Sequence, residues 1–267
     1  MNTIRQILAW ARGVAVAATA ATALLATFAA LPASAAARAT TVPVYVSAAV
    51  SNADRPAADR QRDAARKPAE VIAFSGMRPG WTVADLIPGS GYYDRIFAGV
   101  VGSKGHVYGF YPTELAKILK IQLPQNGAMP DPKYPDFTAL VAPVNDFAPP
   151  VPVDLVWLSD NYHDFHDPFF APADVAKVNA AVFKALKPGG IYLIIDHAAE
   201  KGSGLRDTNT LHRIDEATVE AEVEAAGFKL AGESDVLRNP ADDRSKKIFD
   251  PAIRGRTDQF VLRFRKP

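Results

Sequence analysis

Apolar and polar positions alternate along the chain in two rhythms, and their order sets out a fold. The runs "TVADLI" (82–87), "HVYGFY" (106–111), "VDLVWLS" (153–159) and "IYLIID" (191–196) are short, continuously apolar and bounded by turn residues. That is the pattern of strands covered on both faces. "FTALVAPV" (137–144) is a weaker run of the same kind. Helical spacing separates them: from Tyr92 to Val101, from Thr113 as N-cap to Leu123, and on a face of Val175, Val178, Val182, Phe183 and Leu186 that "KPGG" stops. Such alternation predicts an α/β domain, a parallel sheet with helices on both faces and right-handed crossovers. The tail breaks the rhythm. Asp215 caps a helix that runs to Ala226 and ends at Gly227, and "FKLAGESDVL" and "TDQFVLRFRK" then follow with no helix between them, an antiparallel pair at one sheet edge.

The front of the chain is organised differently. Arg5 and Arg12 precede or flank an alanine- and leucine-rich run from Val14 to Leu31, and "ASA" at 33–35 offers small residues to a signal peptidase. Residues 1–35 therefore read as a cleaved secretory signal, with an uncleaved inner-membrane anchor as the alternative. No twin arginine is present, which favours export of the unfolded chain, to the periplasm. Residues 36–53 are small and polar without helical period, a loose disordered leader, and residues 54–267 form the folded domain. At its start "DRPAADRQRDAARKPAEVIAFSG" (54–76) alternates charges at helical spacing. This is either a solvated helix laced with i,i+4 pairs over the domain edge, or a lid on a ligand. The proline-rich segment 124–135 is a loop long enough to serve function.

Composition narrows the chemistry. With 267 residues and 48% apolar content, the chain can bury one full core. Signal removal takes away two arginines and no acids, so the formal charge moves from +1 to about −1, which gives no bulk attraction to nucleic acid or anionic lipid. The mature domain is accordingly expected to make no stable membrane insertion. Cysteine is absent, which excludes disulfides, zinc–thiolate sites and thiol catalysis.

Loops converge where such sheets bind ligands, beyond the carboxyl ends of the strands near the reversal of strand order. Asp85 to Gly91, Tyr111, Asn145, Asp146 and "SDNYHDFHD" (159–167) all reach that edge. Gly89 and Gly91 permit a tight turn and close approach of backbone to a ligand, while Asp85 can hold amides or a ligand ammonium. The same glycines also suit a turn with no ligand. "DNYHDFHD" is the densest cluster of functional groups, and its bland reading is turn capping and histidines tied to backbone. His163, Asp164, His166 and Asp167 also raise a metal site, though their spacing matches no established motif. His197 and His212 fall on the same edge, and Arg254 and Arg256 end a charged insertion, 239–260, that is either solvated or a wall for an acidic acceptor.

From Val71 to Pro267 the chain resembles class I S-adenosylmethionine-dependent methyltransferases. "DRPAADR", "PGSGYY", "DNYHD", "HRID" and "FRKP" are similar to a group of signal-peptide-bearing predicted bacterial methyltransferases. The resemblance implies a Rossmann-like seven-stranded, mostly parallel sheet of order 3-2-1-4-5-7-6 with the last strand antiparallel. It implies S-adenosylmethionine as cofactor, a small-molecule methyl acceptor and no metal. Cofactor contacts would come from Asp85, Pro88, Gly89, Ser90, Gly91 and Tyr92, from Tyr111, from Asn145 or Asp146 at the adenine amino group, and from Asp160. Two departures stand out. Ile87 replaces the first glycine of the D-x-G-x-G-x-G turn, and Tyr111 replaces the acid that accepts bonds from both ribose hydroxyls, with Glu114 a substitute one helical turn on. By the same resemblance Asn161 and Tyr162 position the acceptor and His163 takes its proton. The competing readings are an exported binding or sensing module that has lost transfer activity, and a metal-assisted hydrolase built on the His163 cluster.

Overall fold

Strands buried on both faces need partners on either side and helices above and below, and the computed structural model supplies both. It describes residues 41–267 except positions 121, 130, 132 and 172, so the signal expected at 1–35 lies outside the described residues. Three helices come first, α1 (Val44–Val50), α2 (Ala57–Arg66) and α3 (Pro68–Ser75), then β1 (Thr82–Leu86), α4 (Tyr92–Val101) and β2 (His106–Pro112). Next are α5 (Glu114–Leu119), β3 (Phe137–Ala142), β4 (Val153–Ser159), α6 (Val175–Ala185) and β5 (Leu186–His197). A short α7 (Thr208–Leu211), α8 (Glu216–Ala225), β6 (Lys229–Ser234) and β7 (Gln259–Arg265) complete the order.

The seven strands form one sheet in the order β3-β2-β1-β4-β5-β7-β6. β1 pairs in parallel with β2 and β4, β2 with β3, and β4 with β5, whereas β7 runs antiparallel to both β5 and β6. The sequence expectation of order and direction holds throughout. Strand period sorts the core into two layers. Ala84, Val156, Leu158 and Ile194 face α6 and α8 through Val178, Val182, Val219 and Val223. Val83, Trp157, Leu193 and Ile195 face α4 and the amino-terminal helices through Phe97, Ile96, Val71 and Val46. The fully buried Trp157 packs between Tyr93 and Phe97, ring centroids 4.8 and 4.9 Å away.

Several local expectations change. The leader expected at 36–53 is replaced from Val44 onward by α1, whose Val46 and Ala49 are buried against α4. A Cβ at Gly99 of α4 would stand 3.0 Å from that of Ala49, so the two helices touch through their smallest residues. β-Branched and small residues gave α1 no helical signature in sequence, and burial supplies its stability. The single charged helix expected at 54–76 breaks at Lys67, which is left-handed at φ 40°, because Pro68 cannot continue α2 and instead opens α3. α5 is shorter than expected, and Thr113 makes no side-chain cap. Asp215 stands at the N-cap position of α8 but accepts from the backbone N–H groups of Gly202 and Gly204 instead of the helix. "KPGG" ends α6 as expected, yet belongs to the start of β5.

The α1–α4 contact is testable. Gly99→Leu is expected to destabilise the full chain by about 1–3 kcal/mol through overpacking, measured as the urea unfolding midpoint, and Ala49→Gly is expected to restore part of that loss.

Candidate functional site

The turn after β1 carries an unusual backbone. Ile87 is left-handed at φ 71°, followed by Gly89 at φ 57° and Gly91 at φ 77°. For a β-branched residue that conformation costs about 1–3 kcal/mol. The side chain offsets it: Ile87 is buried in the cluster that holds Phe110 and Leu115, and its N–H donates to the Phe110 carbonyl at 3.0 Å. Burying an isoleucine contributes about 1.5–3 kcal/mol, enough to balance the strain. The residue that narrows this position in sequence is thus packed mostly into the core, while still bordering the cleft above it. Among the described residues other than its chain neighbours, no heavy atom lies within 4 Å of where a Cβ would stand at Gly89.

That opening belongs to a cleft of about 1390 Å³ at the carboxyl ends of β1, β2, β4 and β5. Asp85, Pro88, Gly89, Ser90 and Tyr92 border it, as do Tyr111, Asp160, Asn161 and His163. Gly91 does not; a Cβ there would meet the Arg95 guanidinium at 3.0 Å. Asn145 and Asp146 border a separate groove of about 450 Å³ beside Pro149 and Lys184, and Asn145 Oδ1 accepts from the Asp174 N–H at 2.9 Å. The adenine contact expected of them is therefore corrected. α5 and the loop after it occupy that side of the cleft with Leu115, Ile118 and Leu123. Glu114 is engaged too, its carboxylate accepting from the Val144 N–H at 3.2 and 3.3 Å.

Buried carboxylates sit at the base. Asp85 is 2% exposed, and its Oδ1 has no hydrogen-bond partner among the described residues; neither oxygen of the fully buried Asp94 has one. Burial, together with the Asp94 charge, pushes Asp85 well above the usual carboxylate range. Burial pushes Asp94 up to about 8 against the opposing pull of Arg95. Tyr111 is raised as well, by burial and by both acids, and stays a neutral phenol.

α2 closes one flank. Gln61, Arg62 and Arg66 border the cleft, so the lid alternative describes this helix better than the solvated one. Its charges reach distant partners: Arg66 pairs with Asp160 at 2.8 Å, Asp59 with Arg95 at 2.6 Å, and Asp63 accepts from the Tyr92 hydroxyl at 2.7 Å. The Arg62 and Arg66 guanidiniums lie over the Tyr92 ring at 4.9 and 5.0 Å. Asp160, itself left-handed at φ 62°, also accepts from Gln259 at 2.6 Å. Burial would raise it, but Arg66 and His197 hold it below the usual range, as an anion.

The turn after β4 divides its residues. Asn161 donates its side-chain N–H to the Ser159 carbonyl on the cleft side. Tyr162 is fully buried, donates to Glu222 at 3.0 Å and accepts from Asn179 at 2.8 Å, which removes it from acceptor positioning. His163 turns the other way. Asp196, at the end of β5, accepts from its backbone N–H and contacts its Nδ1, both at 2.8 Å, while Nε2 faces Asp164 and His212. Burial would lower His163, but Asp196 and Asp164 raise it well above the ordinary histidine value. That direction weakens the proton-accepting role expected of His163. His166 pairs with Glu222 and not with His163. Sequence reasoning missed Asp196 and the lid arginines. The only trace of Asp196 was an acid at the end of an apolar strand. The insertion before β7 supplies Phe249, Arg254 and Thr257 to the cleft, whereas the Arg256 guanidinium donates to the Ala252 carbonyl.

No family model matches the chain. It is similar to the ubiquinone/menaquinone biosynthesis C-methyltransferase UbiE of Vibrio cholerae, 25% identical over 199 residues, 72% of this chain and 71% of that protein. Among solved structures, an arsenic(III) S-adenosylmethionine methyltransferase from Chlamydomonas reinhardtii superposes with a TM-score of 0.50 at 17% identity, covering 84% of this chain and 74% of that one. The [4+2]-cyclase SpnF gives 0.51 at 16% identity, with 81% and 85% covered. The chain thus has the class I methyltransferase fold, which hosts more than one chemistry.

The carboxylate pair sets a pH dependence. The folded chain keeps a proton that the unfolded chain releases above about pH 4. The contribution of this pair to stability is then greatest below that value and is lost as pH rises toward about 8. Asp94→Asn is expected to flatten this decline, raising the thermal midpoint more at about pH 8 than at about pH 5 in a pH series of melting curves.

Proposed function

We propose that this protein binds S-adenosylmethionine in the cleft and transfers its methyl group to a small-molecule acceptor. The observation that carries this reading is the turn after β1, where left-handed Ile87 and Gly89 keep a glycine-type backbone beneath open space. Two features fit the cofactor. The bare backbone at Gly89 admits a nucleoside against it, and the unpartnered Asp85 oxygen suits a cationic ligand in a buried place. The likeness to UbiE and to the arsenic(III) methyltransferase supports the same reading.

Bound S-adenosylmethionine supplies an electrophilic methyl group. The chain's own work is alignment and exclusion of water, which carry most of the catalysis in such transfers. Asp85, Pro88, Gly89, Ser90 and Tyr111 would hold the cofactor side, while Asp160, Asn161 and the His163 wall border the acceptor side. Phe169, Phe170 and Phe249 line the acceptor side as well and favour an acceptor with an apolar face. α2, clamped by Arg66 and Tyr92, covers the site. The amino-terminal segment supports action outside the cytoplasm, which a reporter fused after residue 35 would test by its export.

Calorimetry of the full chain with S-adenosylmethionine and S-adenosylhomocysteine is expected to show micromolar binding. Gly89→Val, which strains the backbone and fills the hollow, is expected to weaken it at least about tenfold, or 1.4 kcal/mol, with the unfolding midpoint as a control on folding. Absence of heat at millimolar ligand, or unchanged affinity in the folded variant, overturns the reading.

A further inference from the structure

Three atoms able to bind a metal meet on one wall of the cleft, brought from two loops. His163 Nε2 lies 3.1 Å from Asp164 Oδ1 and 3.3 Å from His212 Nδ1, and His212 Nδ1 lies 3.6 Å from Asp164 Oδ1. In a regular tetrahedron the edge is about 1.6 times the bond, so zinc bonds of about 2.0–2.1 Å require edges of about 3.3 Å. The observed triangle has edges of that size.

The surroundings agree with the triangle. Nδ1 of His163 faces the fully buried Asp196 at 2.8 Å, the carboxylate–histidine arrangement that fixes a ligating imidazole. His212 is held left-handed at φ 54°, and its ring packs against Phe249 at 5.0 Å, so that it is oriented from both backbone and side chain. All three ligand residues border the cleft.

We propose that His163 Nε2, Asp164 Oδ1 and His212 Nδ1 bind one divalent transition-metal ion in tetrahedral geometry, with the fourth position facing the cleft. Two imidazoles and a carboxylate without thiolate suit zinc, with cobalt as its spectroscopic substitute. His166, committed to Glu222, takes no part. The site stands without the methyl-transfer reading. Joined to it, the ion polarises an acceptor hydroxyl or enol at the fourth position, whose O–H bond breaks and whose proton passes to water, leaving the oxygen nucleophilic.

The test uses the full chain, stripped by chelator and dialysed against Zn²⁺ or Co²⁺. The expected result is one ion per chain by elemental analysis and the intense visible bands of four-coordinate Co²⁺. His212→Ala and the more conservative His212→Gln should abolish retention, Asp196→Asn should weaken it about 10–100-fold, and His166→Ala should leave it unchanged. An unretained ion, a six-coordinate cobalt spectrum, or retention by both folded His212 variants overturns the proposal. Calorimetry with S-adenosylhomocysteine on the same samples separates the two readings: cofactor binding without the ion sinks only the metal site, and the ion without cofactor binding sinks only the transfer reading.

Discussion

An isoleucine in the left-handed region holds this site open, and the rest of the cleft is arranged around that exception. Glycine would adopt φ 71° freely, whereas Ile87 does so with its side chain buried in the core cluster that also holds Phe110 and Leu115. The turn is consequently coupled to the core beneath it in a way a glycine turn is not. A sequence departure that reads as loss of the ligand site becomes, in three dimensions, a different means of holding the same backbone.

The second organising element is charge directed across the fold. α2 has the composition of a solvated helix, yet its Asp59, Asp63 and Arg66 reach Arg95, Tyr92 and Asp160. Isolated surface pairs contribute only up to about 1 kcal/mol. Here they combine with cation–π contacts over Tyr92 and with partly buried partners, so the helix is fixed by a connected set of interactions. Asp160 is the node, since it joins the lid through Arg66 to β7 through Gln259.

The central sheet was legible because burial on both faces leaves largely apolar runs, and β1, β2, β4 and β5 each carry one. The antiparallel end was legible from the missing helix between β6 and β7. What stayed hidden depends on partners far away in sequence: Arg66 meets Asp160 across 94 residues and His163 meets His212 across 49. The Asp85–Gly91 turn was placed at the cleft in outline, but Gly91 faces Arg95 and Asn145 faces another groove. Tyr162 shows how small an offset matters. A turn with about three residues per revolution sends Tyr162 and Phe165 to the same, core side and leaves His163 for the cleft. α1 escaped notice because its apolar residues are small and β-branched.

The position of β7 bears on how the molecule comes into being. It lies between β5 and β6, which makes β6 an edge with no neighbour until residues 259–265 exist. β6 completes its pairing only once β7 docks between it and β5, and Gln259, which steadies Asp160, is seated by that same strand. The acidic node of the cleft therefore depends on the closing of the sheet by its antiparallel strand.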